Sequence, residues 1–431
     1  LLYALSSQRE LLLEWYDFEP EAEVLQVGAD YGALTGLFRS SVRAVTVLDD
    51  TESALETVRQ RYPGAANIYY RKDSLAGYAA EACAEGKKYD YVIFAGTLTA
   101  PYEKHIHAAK SLLKPDGILI VALANALGMK YFAGTVEEEN ALTKRQLAEL
   151  LCGDKETQSM ADESGTLKFY YPMPDYKTPV SIYSDAYLPK KGDLTRVTPA
   201  YDYPPYRMME QGEKFDTVCE AGLFDLYANS YLVFWSADPK QLQKDDERIF
   251  IKYNKTRREE FQIKTCICER NVAGAETGNK ERYVEKAALS LDGSAHIASF
   301  KEKYEKLTKQ HRTLKVAEPK FAEHRNSVFF PYLVGETCAE KLGEQLEGGQ
   351  LPLDVLQIVM NQIYDISPEC RSAFVRTADF DEVFGADLTE EEQNLLVCDT
   401  ACEVSNIDAL FENMLMTREG IYCLDYEWVF L

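Results

Sequence analysis

The stretch EVLQVGADYGALTGLF, residues 23–38, decides the fold of the first half of this 431-residue chain. It begins with an apolar run, continues through Gly28 and Gly32, and ends in a segment with helical periodicity. Glycine lets the backbone turn sharply beneath a bulky ligand, which a side chain would obstruct. The stretch therefore predicts a β-strand, a tight turn and a helix that begins beside a small-molecule site.

A carboxylate follows this turn at an informative distance. Asp49 ends the next apolar run, TVLDD at 46–50, and lies 21 positions after Gly28. A carboxylate about 20 residues beyond such a turn can accept both hydrogen bonds of a ribose diol. The turn alone would fit any α/β domain, whereas the turn and the acid together predict a site for an adenosine-containing ligand.

Apolar strands alternate with helical segments along residues 1–132. The predicted strands lie at 23–27, 44–48, 67–71, 89–96 and 118–125. Such alternation favours a parallel sheet that is covered by helices on both faces. Two later strands, 167–174 and 230–237, are predicted to form an antiparallel pair at the edge of the sheet.

Residues 1–237 resemble the class I S-adenosylmethionine (SAM)-dependent methyltransferases. The resemblance rests on the glycine turn, on Asp49, and on the segments KYDYVIFAG at 88–96 and LLKPDGILIVALAN at 112–125. It implies an α/β, Rossmann-like domain with a mostly parallel, seven-stranded sheet and SAM as its cofactor. The residues that it implies for SAM binding are Gly28, Ala29, Asp30, Gly32, Asp49, Asp73 near the adenine and Thr97 near the methionine part.

Two residues depart from the methyltransferase pattern. Asp30 replaces the usual middle glycine of the turn, and Gln26 stands where an acid is common. Aspartate adopts the left-handed backbone conformation more readily than most residues. A carboxylate at Asp30 would repel a pyrophosphate, which SAM does not contain, so this residue favours SAM over a dinucleotide. A dinucleotide-binding dehydrogenase is the alternative for this half.

The methyl acceptor is expected beyond the carboxyl ends of the strands, where ligands bind in open α/β sheets. The loops after Gly96 and Asn125 and the stretch 170–177 should converge there. The candidate polar side chains are His105, Tyr170, Tyr171, Asp175 and Tyr176. Each could equally serve packing or lie on an exposed helix, and no catalytic base is assigned.

Residues 248–431 carry a second constellation, after a charged stretch at 238–247 that is predicted to be a linker. Asp408 is followed five residues later by Asn413, and Asp425 ends the next strand-like segment. Phosphoryl transfer requires a residue that orients the acceptor hydroxyl, together with oxygen ligands for magnesium. An Asp, an Asn and a second Asp in this order satisfy that requirement.

This half resembles small-molecule phosphotransferases of the aminoglycoside and choline kinase type. The resemblance implies an incomplete, α+β kinase-like domain with Mg-ATP as its cofactor. It makes Asp408 and Lys286 the catalytic candidates, and Asn413 and Asp425 the magnesium ligands.

The kinase resemblance also has consequences and departures of its own. It implies that Glu302 or Glu305, on the helix after Lys286, forms an ion pair with that lysine. Asn406 replaces the family's histidine, and the turn at 253–260 has no glycine to lie over phosphates. The helices that the family places after Asp425 are missing from the sequence, so the domain is expected to be truncated, and its activity is left open.

The chain carries 70 acidic and 47 basic residues, which gives a formal net charge of −23. This charge disfavours nucleic acid and anionic membranes as general partners. No apolar run reaches the roughly 18 residues that a membrane span needs. The ten cysteines lack paired metal-ligand spacing, although Cys266 and Cys268 leave a zinc pair as the alternative to buried thiols. A cytoplasmic protein with reduced cysteines is expected.

The two halves together resemble bacterial multi-domain proteins that join a methyltransferase to glycosyltransferase modules in surface polysaccharide synthesis. The stretches GMKYFAG at 128–134, YYPMPDYK at 170–177 and LDYEW at 424–428 carry this resemblance. It implies SAM-dependent methylation of a hydroxyl on a sugar or glycan, with glycosyltransferase modules as partners. Two alternatives stay open: a non-catalytic scaffold of a glycan-assembly protein, and a Mg-ATP-dependent small-molecule phosphotransferase.

Overall fold

The computed structural model describes residues 5–153, 165–195, 208–272, 280–322, 326–384, 388–397 and 400–430. The chain divides into two compact units. The first comprises Leu1–Lys255 and Cys266–Glu281, and the second comprises Thr256–Thr265 and Arg282–Leu431. Each unit has a hydrophobic core of its own.

The first unit contains the strands of an extended sheet and the helices that connect them. The strands are β1 (Glu23–Val27), β2 (Ala44–Asp49), β3 (Ile68–Lys72), β4 (Tyr89–Ala95), β5 (Leu113–Ala124), β6 (Thr166–Met173), β7 (Ser181–Ser184), β8 (Ser230–Ser236) and β9 (Asp246–Asn254), and β10 (Ile263–Asn271) follows them in the chain. The helices are α1 (Thr35–Ser41), α2 (Glu52–Arg61), α3 (Leu75–Ala84), α4 (Tyr102–Ser111), α5 (Met129–Phe132), α6 (Lys144–Cys152), α7 (Gln211–Glu220) and α8 (Phe224–Tyr227).

The strands of the first unit follow the order β3-β2-β1-β4-β5-β8-β6-β7-β9. The strands from β3 to β5 pair in parallel. β8 lies antiparallel between β5 and β6, so that β6 runs parallel to β5. β7 and β9 extend the sheet by antiparallel pairing. This order confirms the predicted Rossmann-like α/β fold. Among the described residues, however, the sheet has more strands than the predicted seven, because β7 and β9 extend it, and the two late strands therefore lie inside the sheet and not at its edge.

The central strands are buried on both faces, as their apolar sequences require. β5 contains the run ILIVALA at 118–124, which is buried at every position, and every residue of β8 is buried. A parallel sheet with helices on both faces leaves its central strands no exposed face. Since buried apolar surface contributes about 25 cal/mol per Å², these strands supply much of the stability of the unit.

The charged stretch at 238–247 forms part of the first unit. Asp238 caps a 3-10 turn, Pro239–Leu242, whose Leu242 is buried. β9 begins within the same stretch and pairs with β7. The division between the units follows Lys255, so it differs from the predicted boundary at residue 248. A charged surface turn has the same composition as a linker, which is why the sequence suggested one.

The second unit combines short strands with helices. Its strands are β11 (Lys280–Ala288), β12 (Lys315–Val316), β13 (Lys320–Phe321), β14 (Ser327–Pro331), β15 (Glu336–Thr337), β16 (Arg371–Ala373), β17 (Thr400–Cys402), β18 (Ser405–Asn406), β19 (Met414–Thr417), β20 (Gly420–Cys423) and β21 (Val429–Phe430). Its helices are α9 (Ser294–Gln310), α10 (Cys338–Glu347), α11 (Leu353–Tyr364), α12 (Ala378–Phe384) and α13 (Glu390–Val397). The unit is of mixed α and β composition, and its kinase-like character stays a prediction.

Local pairing in the second unit brings its predicted site residues towards one another. β11 pairs antiparallel with β14, and β19 forms a hairpin with β20. This hairpin connects the segment of Asp408 and Asn413 to Asp425. Helix α9 packs into the core through Ile297 and Phe300. Over all the described ranges, no helix has both the length and the apolarity that a bilayer crossing demands.

Candidate functional site

The turn after β1 has a left-handed backbone at four positions. The φ angles of Gly28, Asp30, Tyr31 and Gly32 are +87°, +38°, +54° and +72°. Non-glycine residues in this region cost free energy, and such residues concentrate at functional sites. A Cβ atom at Gly28 would lie 2.5 Å from Cγ2 of Thr97, so only glycine fits there. The turn therefore brings the carboxyl ends of β1 and β4 into contact.

The Asp49 carboxylate faces this turn. One oxygen, Oδ2, accepts a hydrogen bond from the backbone N–H of Ala29 at 2.9 Å, and Oδ1 accepts one from Thr51 at 2.8 Å. The side chain is half-buried. A carboxylate oxygen has two lone pairs, so each oxygen of Asp49 keeps acceptor capacity for a ligand hydroxyl.

Gln26, which replaces the common acid, holds the turn itself. Its Nε2 donates to the carbonyl oxygens of Gly28 at 3.1 Å and Ala29 at 3.3 Å. Its Oε1 accepts a buried hydrogen bond of 2.8 Å from the Thr35 hydroxyl. A carboxylate has no proton to give to these two carbonyl groups, so this turn requires an amide at position 26.

The Asp30 carboxylate forms an ion pair with the buried Arg9 guanidinium. Burial raises the pKa of Asp30, and the positive charge of Arg9 opposes that rise. Arg9 also donates to the backbone carbonyl of Lys177 at 3.4 Å. Arg9 thus ties the glycine turn to the loop after β6, and Asp30 offers the site its backbone and not its side chain.

Asp73 and Thr97 complete the set of residues implied for the cofactor. The backbone N–H of Asp73 donates to the carbonyl of Asp49 at 3.2 Å, and the Asp73 carboxylate accepts from Ser74 at 2.7 Å. The Thr97 hydroxyl donates to the carbonyl of Val27, at the end of β1. All the residues implied for SAM therefore lie at the carboxyl ends of β1 to β4, where open α/β sheets bind ligands.

A charged cluster adjoins this edge of the sheet beyond β4. A Cβ atom at Gly96 would lie 2.7 Å from the ring and hydroxyl of Tyr176, so that ring packs directly on the glycine. The Tyr176 hydroxyl donates to Glu138 at 3.2 Å. Lys130, which is fully buried, pairs with Glu138 at 2.8 Å and with Asp175 at 3.3 Å. The loops after β4, β5 and β6 thus converge, as the sequence predicted.

The electrostatics of this cluster favour the charged forms of Lys130 and Glu138. Burial lowers the pKa of Lys130, but the carboxylates of Asp175 and Glu138 outweigh it and raise that pKa above its ordinary value. Burial raises the pKa of Glu138, but Lys130 and Lys177 reverse the effect and leave it below its ordinary value. Sequence reasoning missed Lys130 and Glu138, although a lysine inside the apolar stretch GMKYFAG was a signal.

The remaining acceptor-side candidates serve the fold. The enclosed Tyr170 hydroxyl donates to Glu247 at 3.2 Å. The Tyr171 hydroxyl donates to Asp185 and accepts from the Lys144 ammonium, which lies 2.7 Å away. Nδ1 of His105 forms a 2.8 Å hydrogen bond with the carbonyl of Thr99, which lies just before helix α4. None of these three side chains joins the charged cluster in the described contacts.

In the second unit, Lys286 on β11 forms an ion pair with Asp425. Its Nζ lies 2.8 Å from Oδ1 of Asp425 and 2.5 Å from Oε1 of Glu427. Burial lowers the pKa of Lys286, but the two carboxylates raise it overall. Asp425 stays partly exposed while Glu427 is buried.

Asp408 and Asn413 lie in one hydrogen-bonded loop. The Asp408 carboxylate accepts a hydrogen bond of 2.8 Å from the backbone N–H of Trp428. The backbone carbonyl of Asp408 accepts one of 2.9 Å from the side-chain amide of Asn413. Asn406, which replaces the family's histidine, accepts from the Asp408 N–H at 3.0 Å. Within the described ranges, no group of three or more His, Cys, Asp or Glu side chains is arranged to hold a metal ion. The magnesium role of Asn413 and Asp425 stays a prediction.

The prediction that Glu302 forms an ion pair with Lys286 is wrong. That carboxylate pairs with Lys306 at 3.0 Å, and Glu427 takes the place beside Lys286. The inner face of α9 repeats through His296, Phe300, Lys303 and Leu307, at helical spacing. Positions 302 and 305 fall outside this repeat, so the helix turns Lys303 towards the core and not a glutamate.

No protein-family model and no curated protein matches the sequence. Similar solved structures include the N-methyltransferase NodS from Bradyrhizobium japonicum with S-adenosylhomocysteine (SAH), at 18% identity and a TM-score of 0.24, covering 27% of this chain and 60% of its own. Phosphoethanolamine N-methyltransferase 1 from Haemonchus contortus, with phosphoethanolamine and SAH, has 13% identity, a TM-score of 0.33 and coverages of 53% and 42%. A TehB-like SAM-dependent methyltransferase from Corynebacterium glutamicum has 10% identity, a TM-score of 0.31 and coverages of 54% and 88%. The chain thus covers less than two thirds of the length of NodS and of the phosphoethanolamine N-methyltransferase.

Replacement of Gln26 by the acid that is common in methyltransferases should destabilise this protein. In Gln26→Glu, a carboxylate replaces the donor and faces the carbonyl oxygens of Gly28 and Ala29. We expect the free energy of unfolding to fall by about 1–3 kcal/mol, the cost of unpaired buried polar groups. Urea unfolding measures it, with Gln8→Glu on the exposed N-terminal turn as the control. A loss no larger than the control's would contradict this role for the amide.

Proposed function

We propose that the first unit binds SAM and transfers its methyl group to an acceptor at the carboxyl edge of the sheet. The observation that carries the proposal is the Asp49 carboxylate, which faces a left-handed glycine turn and retains lone pairs for a ribose diol. The close packing of Thr97 on Gly28 adds support, because it joins the carboxyl ends of β1 and β4, where open α/β sheets bind ligands.

The chain's contribution to such a reaction is mainly positioning. Asp49 would hold the ribose, Asp73 the adenine, and the Gly96–Thr97 corner the methionine part. SAM, when bound, supplies an activated methyl group. Alignment of an acceptor with that group can supply much of the rate acceleration, since orientation alone is worth about 7–11 kcal/mol in well-matched systems.

We propose a hydroxyl of a sugar or glycan as the methyl acceptor. The cluster beside Gly96 combines the Tyr176 hydroxyl with two lysines, Lys130 and Lys177, and two carboxylates, Glu138 and Asp175. The two lysines and two carboxylates balance in charge. Lys130 and Asp175 are buried, whereas Lys177 and Glu138 stay partly exposed and offer a donor and an acceptor, which suits a neutral, hydroxyl-rich acceptor. Surface polysaccharide synthesis in the cytoplasm of a bacterium, with glycosyltransferase modules as partners, is the setting that we propose by analogy.

The cofactor proposal is tested by calorimetry with SAH. Asp49→Ala should weaken SAH binding by about 10- to 150-fold, the equivalent of about 1.5–3 kcal/mol for hydrogen bonds to a charged group. Asp50→Ala removes the same charge one residue later, from an exposed side chain, and should change the affinity less than threefold. Equal losses in both variants, or no SAH binding by the unaltered chain, would refute the proposal.

The acceptor proposal is tested by transfer of a labelled methyl group from SAM to a panel of mono- and oligosaccharides. Tyr176→Phe should lower the transfer rate by roughly tenfold or more, because the acceptor loses a positioned hydroxyl, while SAH affinity stays unchanged. Tyr69→Phe, on the exposed edge strand β3, is the control. If the panel accepts no methyl group while SAH binds normally, the glycan acceptor is excluded and the SAM site is not.

A second candidate function belongs to the second unit: magnesium- and ATP-dependent phosphoryl transfer. The Lys286–Asp425 contact of 2.8 Å favours it, together with the loop that joins Asp408 to Asn413. In this function, Asp408 would orient the acceptor hydroxyl, Lys286 would contact phosphate oxygens, and Asn413 and Asp425 would hold magnesium.

This second function predicts that ATP binding depends on magnesium and on Asp425. Asp425→Ala should abolish the magnesium-dependent part of ATP binding in calorimetry, because it removes an oxygen ligand of the ion. Glu412→Ala, an exposed acid before the same hairpin, should bind as the unaltered chain does. Binding of neither ATP nor SAH would leave the non-catalytic scaffold as the remaining alternative.

A further inference from the structure

Glu427 is held in the second unit as an anionic ligand would be held. Its Oε1 lies 2.5 Å from the Nζ of Lys286, and its Oε2 forms an ion pair with the guanidinium of Arg257. The side chain is only 4% exposed. Two separate cations thus bind the two oxygens of one carboxylate, the arrangement in which phosphate oxygens are also bound.

A third cation completes the group. Lys303, on the inner face of α9, is buried and donates to the backbone carbonyl of Glu427. A carbonyl is a weaker partner for an ammonium than a carboxylate is. Burial lowers the pKa of Lys303, and the nearby carboxylates of Glu427 and Asp408 only partly offset it. An additional anion beside Lys303 would therefore be stabilising.

Aromatic rings flank this cation cluster, which we define as Arg257, Lys286 and Lys303. The Arg257 guanidinium lies 5.1 Å from the centre of the Trp428 ring. The His296 ring lies 5.8 Å from the same ring, and its Nε2 is buried with no hydrogen-bond partner among the described residues. Rings of this kind exclude water, which strengthens the attraction of the cations for an anion.

We propose that the cation cluster is a binding site for a phosphate-bearing anion with neighbouring phosphate groups, and that Glu427 occupies this site in the absence of the ligand. Entry of the ligand would displace the Glu427 carboxylate from Arg257 and Lys286. The proposal shares its location with the second function proposed above, but it requires neither magnesium nor phosphoryl transfer. Arg257 and Lys303 are the residues that it adds, and Glu427 is an intramolecular competitor.

Charge supports this assignment. Three cations lie beside three carboxylates, those of Glu427, Asp425 and Asp408, so displacement of Glu427 would leave the cations in excess. The protein as a whole has a net charge of −23 and would otherwise repel anions. Buried ions are costly unless paired, so removal of one anion from such a group creates a strong site for another. A purely structural role for Glu427 would instead make its loss harmful to stability and neutral for anion binding.

The test is calorimetric titration with inorganic triphosphate in metal-free buffer. Glu427→Gln keeps the shape of the side chain and removes the competing charge, so triphosphate should bind about tenfold more tightly than to the unaltered chain. Glu412→Gln removes one negative charge from the exposed surface of the same unit and controls for the general repulsion. It should tighten binding less than threefold.

Two further variants keep the result interpretable. In Arg257→Met/Glu427→Gln, the gain should disappear, because a cation of the site is lost together with the competitor. Glu427→Asp keeps the charge but shortens the side chain, so it should fold even if Glu427→Gln does not, and should tighten binding by a smaller factor. Equal affinities for Glu427→Gln, Glu412→Gln and the unaltered chain, or no triphosphate binding at all, would overturn the proposal. Magnesium-dependent ATP binding with equal triphosphate affinities would overturn it and leave the phosphotransferase function standing.

Discussion

The hydrogen bond from the Ala29 N–H to the Asp49 carboxylate is the interaction on which the first unit's site depends. It joins the turn after β1 to the tip of β2, and it requires the left-handed backbone at Gly28 and Gly32. The Gln26 amide fastens the same turn from beneath through two carbonyl groups. Without these bonds, the turn would lose its left-handed conformation, because a strained backbone persists only where its surroundings determine it.

Local sequence pattern predicted the part of the fold that depends on local chemistry. The strands at 23–27, 44–49 and 68–72 were found within one residue, since buried parallel strands read as continuous apolar runs. The sequence also indicated that the Asp49 side chain faces the glycine turn, because Asp49 ends the neighbouring strand. The predicted domain boundary at residue 248 differs from the division after Lys255. A charged composition indicates exposure to solvent, which a surface turn and a linker share.

Contacts between distant residues could not be predicted in the same way. Lys130 meets Asp175 across 45 positions and Lys286 meets Glu427 across 141, and no periodicity connects either pair. The kinase resemblance offered Glu302 or Glu305 as the partner of Lys286, since the family places an acid on the next helix. Helical spacing in this chain points Lys303 inwards instead, where its ammonium donates to the backbone carbonyl of Glu427.

Buried cations mark both candidate sites in this acidic protein. In the described ranges, the buried cationic side chains are Arg9, Lys130, Lys264, Lys286 and Lys303. Arg9 and Lys130 adjoin the glycine turn and the Tyr176 corner, and Lys286 and Lys303 surround Glu427. A buried ion pair adds little to stability compared with apolar packing, so selection for stability alone does not explain this distribution. A role in preorganising a site does explain the distribution. Buried charges that are paired across loops hold their side chains in fixed positions, whereas a ligand would otherwise meet mobile, hydrated side chains.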